Sequence, residues 1–192
     1  MTNRSNTKRP LIIDFHSHIV SPSLFKLTQK FSLHARIGLG NKTSLGKVKE
    51  SQETMKRMVD PKLRLQDLVR MGIDIQVISP SLIHHNTTSA DGETADTIVR
   101  QVNNHVAEAV EKYPDRLVGI GIVPLQDPKK SAAELDRMVN KLGLKGVQIP
   151  TILNDVEIGA KHLHPFWRKA EKLNIPVFIH PAGNSDPRLK KF

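Results

Sequence analysis

The sequence predicts an α/β protein built on a parallel sheet that helices cover on both faces. From residue 61 onward, strand-like and helix-like segments alternate with short connections. The strand-like segments are almost continuously apolar, which is typical of strands buried on both faces. This pattern leaves two architectures, a doubly wound sheet and a (β/α) barrel. No glycine-rich turn follows the first strand, and its absence counts against a doubly wound dinucleotide-binding fold.

The first strand is predicted at residues 11–18, Leu-Ile-Ile-Asp-Phe-His-Ser-His. Because strand side chains alternate between faces, we expect Asp14, His16 and His18 to share one face. Two neighbouring imidazoles with a carboxylate behind them can hold a divalent metal ion. In that arrangement Asp14 would orient or polarise a ligand rather than bind the ion itself.

Residues 19–60 interrupt the alternation, because they are too many for an ordinary connection between a strand and its helix. Long insertions of this kind commonly shape a binding site. We therefore predict that residues 19–60 form a cap over the substrate pocket, within a single domain that spans residues 1–192.

The remaining elements are predicted from their end signals and apolar spacing. Proline, or aspartate followed by proline, begins two helices, and a glycine ends each of them; the longest helix is capped by Asp91 or Thr94 and stops before Pro114. In chain order, the predicted elements are a helix at 61–71, a strand at 73–79, a helix from 91 or 94, a strand at 117–123, a helix from 127 to 143, a strand at 145–149, a helix at 165–173 and a strand at 175–180.

Composition limits the classes of function. The chain has 192 residues, 38% of them hydrophobic and 25% charged, which suits a single globular core. The formal net charge is +10, but the basic residues are scattered and only eight aromatic side chains are present (six Phe, one Tyr, one Trp). A nucleic-acid surface would interleave basic and stacking residues, so we expect a basic surface that attracts anionic small molecules and no nucleic-acid partner.

The absence of cysteine excludes disulfides, thiolate metal ligands and a cysteine nucleophile. No run of 18 apolar residues is present, so no membrane partner is expected, and residues 1–10 are polar and basic. A cytoplasmic protein is the expectation that follows.

Three histidines fall at the carboxyl ends of predicted strands, namely His16, His18 and His180. In a (β/α) barrel the chemistry gathers at these strand ends. By contrast, His162 and His164 have the same spacing as the first pair but follow a loop, so we expect them at the surface. The adjacent residues His84 and His85 follow the second strand and are weaker candidates for substrate contact.

These segments together resemble the amidohydrolase-related family, in the branch of the aminocarboxymuconate-semialdehyde decarboxylase and the resorcylate-type decarboxylases. The resemblance covers nearly the whole chain from residue 11. Its ordered segments are Ile13-Asp14-Phe15-His16-Ser17-His18, Asp60-Pro61 with Arg64, Met71-Gly72-Ile73-Asp74-Ile75-Gln76-Val77, Asn103, Tyr113-Pro114-Asp115-Arg116, Val123-Pro124-Leu125-Gln126-Asp127, Gly146-Val147-Gln148-Ile149 and Val177-Phe178-Ile179-His180-Pro181.

The resemblance implies a metal-dependent hydrolase fold of the (β/α)₈ TIM-barrel type, with about the first five βα units inside these 192 residues. It implies that His16, His18 and His180 bind a divalent metal ion. Three imidazoles suit Zn²⁺ best, and Mn²⁺ is the alternative. The implied activity is non-oxidative decarboxylation of a small carboxylated aromatic or muconate-type substrate. Hydrolysis by a metal-dependent enzyme of the same superfamily and an inactive truncated fragment remain as alternatives.

Two departures from the family pattern matter. The family also uses a histidine after strand six and an aspartate after strand eight, which would lie beyond residue 192 with the catalytic acid–base groups. The muconate decarboxylase carries an arginine before its Asp-Pro pair, where this chain has Gln52; Lys49, Lys56 or Arg57 could take its place. Five strands without their closing partners would leave two open edges, so we expect aggregation or a homodimer.

Overall fold

Five parallel strands, joined mainly by helices, form the framework of the protein in a computed structural model. The structure describes residues 9–29, 45–81, 87, 90–153 and 156–181. The strands are β1 (Ile13–Ile19), β2 (Ile75–Pro80), β3 (Leu117–Gly119), β4 (Val147–Pro150), the short pair β5 (Ile152–Leu153) and β6 (Val156–Glu157), and β7 (Val177–His180). The helices are α1 (Pro22–Gln29), α2 (Leu45–Val59), α3 (Pro61–Met71), α4 (Gly92–Lys112), α5 (Pro128–Asn140) and α6 (His164–Leu173), with a 3₁₀ turn at Lys161–Leu163 before α6.

The parallel strands lie side by side in the order in which they occur along the chain. Ladders join β1 to β2, β2 to β3, and β4 to β7. A parallel bridge between Gly121 and Val147 connects the two groups, and the N–H of Gln148 donates to the carbonyl of Gly121 at 2.7 Å. A doubly wound sheet would reverse its strand order at a switch point. The sequential order therefore decides in favour of the barrel type.

Curvature of the sheet supports the same conclusion. Strands about 4.8 Å apart would place β1 and β7 about 19 Å from each other in a flat five-stranded sheet. Instead, Nε2 of His16 on β1 lies 3.0 Å from Nε2 of His180 on β7. The sheet is therefore rolled so that the carboxyl ends of its first and last strands face each other.

Local end signals fix the predicted bounds of α3 and the predicted start of α4, whereas α5 begins at Pro128 as predicted but ends at Asn140, before Gly143. Asp60 caps α3, whose first residue is Pro61, and Gly72 ends it with a left-handed backbone (φ 70°). Asp91, rather than Thr94, is the cap of α4, since the backbone N–H and the hydroxyl of Thr94 both donate to the Asp91 carboxylate.

The strand predicted at 117–123 is shorter in the structure. Only Leu117–Gly119 form a continuous ladder. Beyond it, the N–H of Ile122 donates to Oδ1 of Asn103 (2.9 Å), and Nδ2 of Asn103 donates to the carbonyl of Ile122 (2.8 Å). A side chain from α4 thus takes the backbone hydrogen bonds that a neighbouring strand would have taken. Asn103 is fully buried and acts as a structural hydrogen-bonding residue.

The main core lies between the sheet and helices α3 to α6. Its completely buried side chains include Leu68 of α3, Ile78 of β2, Leu135 and Met138 of α5, and Phe166 of α6. Because these helices hold the outer face of the sheet, the strand ends that carry the histidines are placed by the packing of the whole core.

The insertion at 19–60 contains α1 and α2, and its residues 30–44 lie outside the described residues. Leu24 of α1 packs with Ile98, Val99 and Ile122 in a second small core. The end of α2 is tied to the end of β1 by a hydrogen bond from the N–H of Val20 to the carbonyl of Met58 (2.9 Å). These contacts place both helices beside the carboxyl end of β1.

Large apolar side chains are exposed along the two outer strands. Among the described strands, β1 pairs only with β2, and β7 pairs only with β4. Ile12, Ile13, Phe15 and Ile179 are each between 45% and 51% exposed, while Phe178 is partly buried.

None of the described helices is both long and apolar enough to cross a membrane.

Candidate metal centre

Three histidine side chains meet at the carboxyl ends of β1 and β7. Nε2 of His16 lies 3.1 Å from Nε2 of His18 and 3.0 Å from Nε2 of His180. One ring nitrogen from each of the three residues lies within 4.8 Å of the others. The structure therefore brings together the three residues that the sequence selected, across 164 positions of chain between His16 and His180.

The hydrogen bonds at the other ring nitrogens assign the tautomers. Nδ1 of His180 lies 2.9 Å from the carbonyl of Pro181, which can only accept, so this nitrogen carries the proton. Nδ1 of His18 lies 3.0 Å from Oγ of Ser79, whose hydroxyl donates to the carbonyl of Ser17 (3.2 Å) and so accepts from His18. Both residues therefore direct the lone pair of Nε2 towards Nε2 of His16.

This arrangement matches the needs of a metal ion. Three nitrogen ligands at about 2.0–2.1 Å in tetrahedral geometry lie about 3.3 Å from one another. The separations of 3.0 and 3.1 Å from Nε2 of His16 to the other two Nε2 atoms are close to that value, and all three nitrogens lie within 4.8 Å of one another. Lone pairs that face each other at this distance repel unless a cation or a proton lies between them, so the donor set fits a divalent ion.

The protonation state also suits ligation. Burial, with smaller contributions from the nearby imidazoles of His180 and His16, lowers the pKa of His18 to about 4. Burial likewise lowers the pKa of His180, with a smaller contribution from His16. Near neutral pH both side chains are neutral, which is the form that binds a metal ion.

One prediction about β1 is wrong. Strict alternation would put Asp14 on the same face as the histidines, but the register with β2 shifts between Asp14 and Ser17. This irregularity inserts one extra residue into β1, so Asp14 faces the helices. There its Oδ2 accepts from Nε2 of Gln76 (2.6 Å), while its Oδ1 accepts from the backbone N–H of His16 (3.2 Å). Asp14 could therefore influence a bound metal ion only through the backbone of His16. The role of Asp14 in orienting or polarising a ligand stays a prediction.

A cavity of about 330 Å³ opens beside β1, where His16 and His18 line it together with residues of α2 and α3. Of the replacements considered for Gln52, Arg57 lines this cavity and forms ion pairs with Asp67 (2.8 Å) and Glu53 (3.3 Å). The side chain of Lys49 lies outside the described part of the structure. Lys56 instead pairs with Glu53 (2.8 Å).

The other histidines do not join the cluster. His162 and His164 are exposed on the 3₁₀ turn and at the start of α6, as expected. His84 and His85 lie outside the described residues, so their predicted contact with substrate stays a prediction.

Sequence reasoning assigned no role to three residues that surround the cluster, namely Arg64, Gln76 and Ser79. Ser79 sets the tautomer of His18, and Arg64 and Gln76 support the backbone of β1. A signal was present, because Gln76 and Ser79 are the polar residues in the apolar strand β2 and both are buried. Buried polar residues in a strand covered on both faces indicate a hydrogen-bonding task.

Parallel βα units in sequential order define a protein of the (β/α) barrel type, and the histidine cluster lies at the carboxyl ends of its outer strands. The sequence profile of the Amidohydrolase family matches residues 13–191. The chain belongs to this family.

Two similar curated proteins are decarboxylases. The 2-amino-3-carboxymuconate-6-semialdehyde decarboxylase of Dictyostelium discoideum is 32% identical over 178 residues, which are 90% of this chain and 49% of that protein. The gamma-resorcylate decarboxylase of Rhizobium sp. (strain MTP-10005) is 32% identical over 144 residues, covering 70% of this chain and 42% of that protein. The chain spans about half the length of these relatives.

A solved structure shares the fold. The 5-carboxyvanillate decarboxylase from Novosphingobium aromaticivorans, in a complex with manganese and 3-methoxy-4-hydroxy-5-nitrobenzoic acid, superposes with a TM-score of 0.77 at 25% identity. The match covers 94% of this chain and 55% of that one. It agrees with the barrel type that the strand order and curvature indicate.

Proposed function

We propose that this chain carries the metal-binding half of a non-oxidative decarboxylase that acts on a small carboxylated aromatic or muconate-type substrate. The observation that carries the proposal is the convergence of three imidazoles. Nε2 of His16 lies 3.1 Å from Nε2 of His18 and 3.0 Å from Nε2 of His180, and the lone pairs of the latter two are directed towards it. The similarity to aminocarboxymuconate-semialdehyde, resorcylate and carboxyvanillate decarboxylases supports this choice of reaction.

In this proposal the three imidazoles hold the ion, and Ser79 and the carbonyl of Pro181 keep two of them in the metal-binding tautomer. The ion would act as a Lewis acid that orients the substrate carboxylate. Decarboxylation breaks the bond between the carboxylate and its carbon, and a proton replaces the departing CO₂. Zn²⁺ is our first choice because imidazole suits it, and Mn²⁺ is the alternative, supported by the manganese in the carboxyvanillate enzyme.

The positive charge of the chain, +10, agrees with an anionic substrate. Two described cations, Arg57 and Arg64, line the cavity next to His16 and His18. Because the guanidinium of Arg64 donates to Ser17, Gln76 and the carbonyl of His18, Arg57 is our candidate for attracting the carboxylate. A cytoplasmic location and a homodimer belong to the same proposal, the first because the chain has no cysteine and the second because β1 and β7 expose apolar side chains.

The test is to load the purified chain with Zn²⁺ or Mn²⁺ and to measure CO₂ release from gamma-resorcylate and from 5-carboxyvanillate. Release that requires the metal and is lost in a His16→Ala variant would support the decarboxylase. Metal binding with hydrolysis of an ester or amide and no CO₂ release would favour the hydrolase. Metal binding without turnover of any substrate would favour the inactive fragment.

A further inference from the structure

The irregular part of β1 is held by side chains rather than by strand pairing. Between the pairs Asp14–Gln76 and Ser17–Ile78, β1 advances three residues while β2 advances two. A bulge of this kind redirects side chains and leaves backbone groups outside the ladder. Here it turns the rings of His16 and His18 towards His180 while Asp14 and Ser17 face α3.

The guanidinium of Arg64, from α3, lies at the centre of this support. Nη2 donates to the carbonyl of His18 (2.5 Å), and Nη1 donates to Oγ of Ser17 (3.2 Å) and to Oε1 of Gln76 (2.9 Å). Gln76 then donates through Nε2 to Asp14 (2.6 Å), which accepts from the N–H of His16 (3.2 Å). One connected network therefore holds the backbone of both histidines.

Packing alone does not explain why position 64 is an arginine. Arg64 is 8% exposed, and within the described residues no carboxylate oxygen lies close enough to form an ion pair with it; the charges of Asp14 and Asp67 act on it only from a greater distance. Its acceptors are neutral carbonyl, hydroxyl and amide oxygens, the carbonyl of Arg57 among them at 3.3 Å. Burying a cation without a paired carboxylate is unfavourable, and a nonpolar side chain of similar length would fill the space next to Leu68 without that penalty.

We infer that Arg64, acting through Gln76 and Asp14, is a positioning residue that sets the bulge of β1 and thereby aims His16 and His18 at the metal. This inference rests on the proposed metal site. Arg64 is not itself a ligand, because it carries no lone pair that a cation could use. Supporting residues of this kind change metal affinity by about 10- to 100-fold when they are replaced.

The experiment compares Arg64→Met with Arg116→Met as a matched control. Arg116 also donates to two backbone carbonyls, those of Asp74 and Ile73, at 2.7 Å each, but near the amino end of β2 and away from the histidines. Zn²⁺ affinity is measured by competition with a chelator, the ligand geometry by the visible absorption of the Co²⁺-loaded protein, and folding by thermal melting without metal.

We expect Arg64→Met to weaken Zn²⁺ binding about 10- to 100-fold and to alter the Co²⁺ spectrum. Arg116→Met should lower the melting temperature yet keep the affinity within about twofold of wild type. The variant Arg64→Lys, which retains the charge and can reach one carbonyl, should recover part of the affinity.

Two results distinguish a failure of the proposed function from a failure of the positioning role of Arg64. If the wild-type chain binds no metal, the proposed function itself is wrong. If the wild type binds and a folded Arg64→Met protein binds equally well with an unchanged Co²⁺ spectrum, the positioning role is wrong. Should Arg64→Met not fold, Gln76→Met decides, because it breaks the link to Asp14 while Arg64 stays; unchanged affinity in that variant would overturn the inference.

Discussion

Replacing His16 and His18 together by alanine should abolish metal binding. The two residues supply two of the three ring nitrogens that lie within 4.8 Å of one another, so the double variant would leave His180 as a single imidazole. A single neutral imidazole cannot compete with water and buffer for a divalent ion near neutral pH. We expect the purified double variant to contain no stoichiometric metal after dialysis.

The size of the effect on stability follows from linkage. At a free metal concentration of 100 times the dissociation constant, binding adds about 2.7 kcal/mol to the free energy of unfolding. For a chain of this length, each kcal/mol raises the melting temperature by about 2–4 °C. Zn²⁺ should therefore raise the melting temperature of the wild type by about 5–11 °C and leave that of the double variant unchanged.

Elemental analysis and thermal melting with and without Zn²⁺ provide the measurement. The chain contains its own control, because His162 and His164 have the same spacing but are exposed on a turn and a helix start. The double replacement of His162 and His164 by alanine should keep both the metal content and the thermal shift. Equal metal content in the two double variants would refute the assignment of the ligands.

Three further predictions follow from the described residues. Burial holds the pKa of His18 at about 4, below its ordinary 6.5, so between these pH values the unfolded chain binds a proton that the folded chain does not. The free energy of unfolding of the metal-free protein should therefore fall as the pH drops from 6.5 to 4, by about 1–2 kcal/mol after allowance for solvent screening; a flat profile in urea titrations would contradict this. Asn103→Ala should destabilise the fold by about 1–3 kcal/mol, because it leaves the buried N–H of Ile122 without its acceptor, and should keep the Zn²⁺ affinity; calorimetry and chelator competition check both parts. The exposed side chains of Ile13 and Ile179 on the outer strands should cause self-association at micromolar concentration, so a monomer with a cooperative melt in sedimentation and melting experiments would count against it.

The sequence alone determined the elements whose signals are local. Asp60 and Pro61 begin α3 and Gly72 ends it, because a cap, a fixed φ and a left-handed residue act over four or five positions. The spacing of His16 and His18 on a strand was equally local. Together with His180, they could be selected as candidate ligands before any long-range contact was known.

Only the tertiary structure decided the strand order, the bulge in β1 and the face of Asp14. These features depend on how β1 registers with β2, about sixty residues further along the chain, and on Arg64 and Gln76 being buried beside it. Alternation along a strand holds only while the ladder is regular, and one extra residue turns a side chain to the other face. The register is set by burial and hydrogen bonding between distant segments, which a local pattern does not contain.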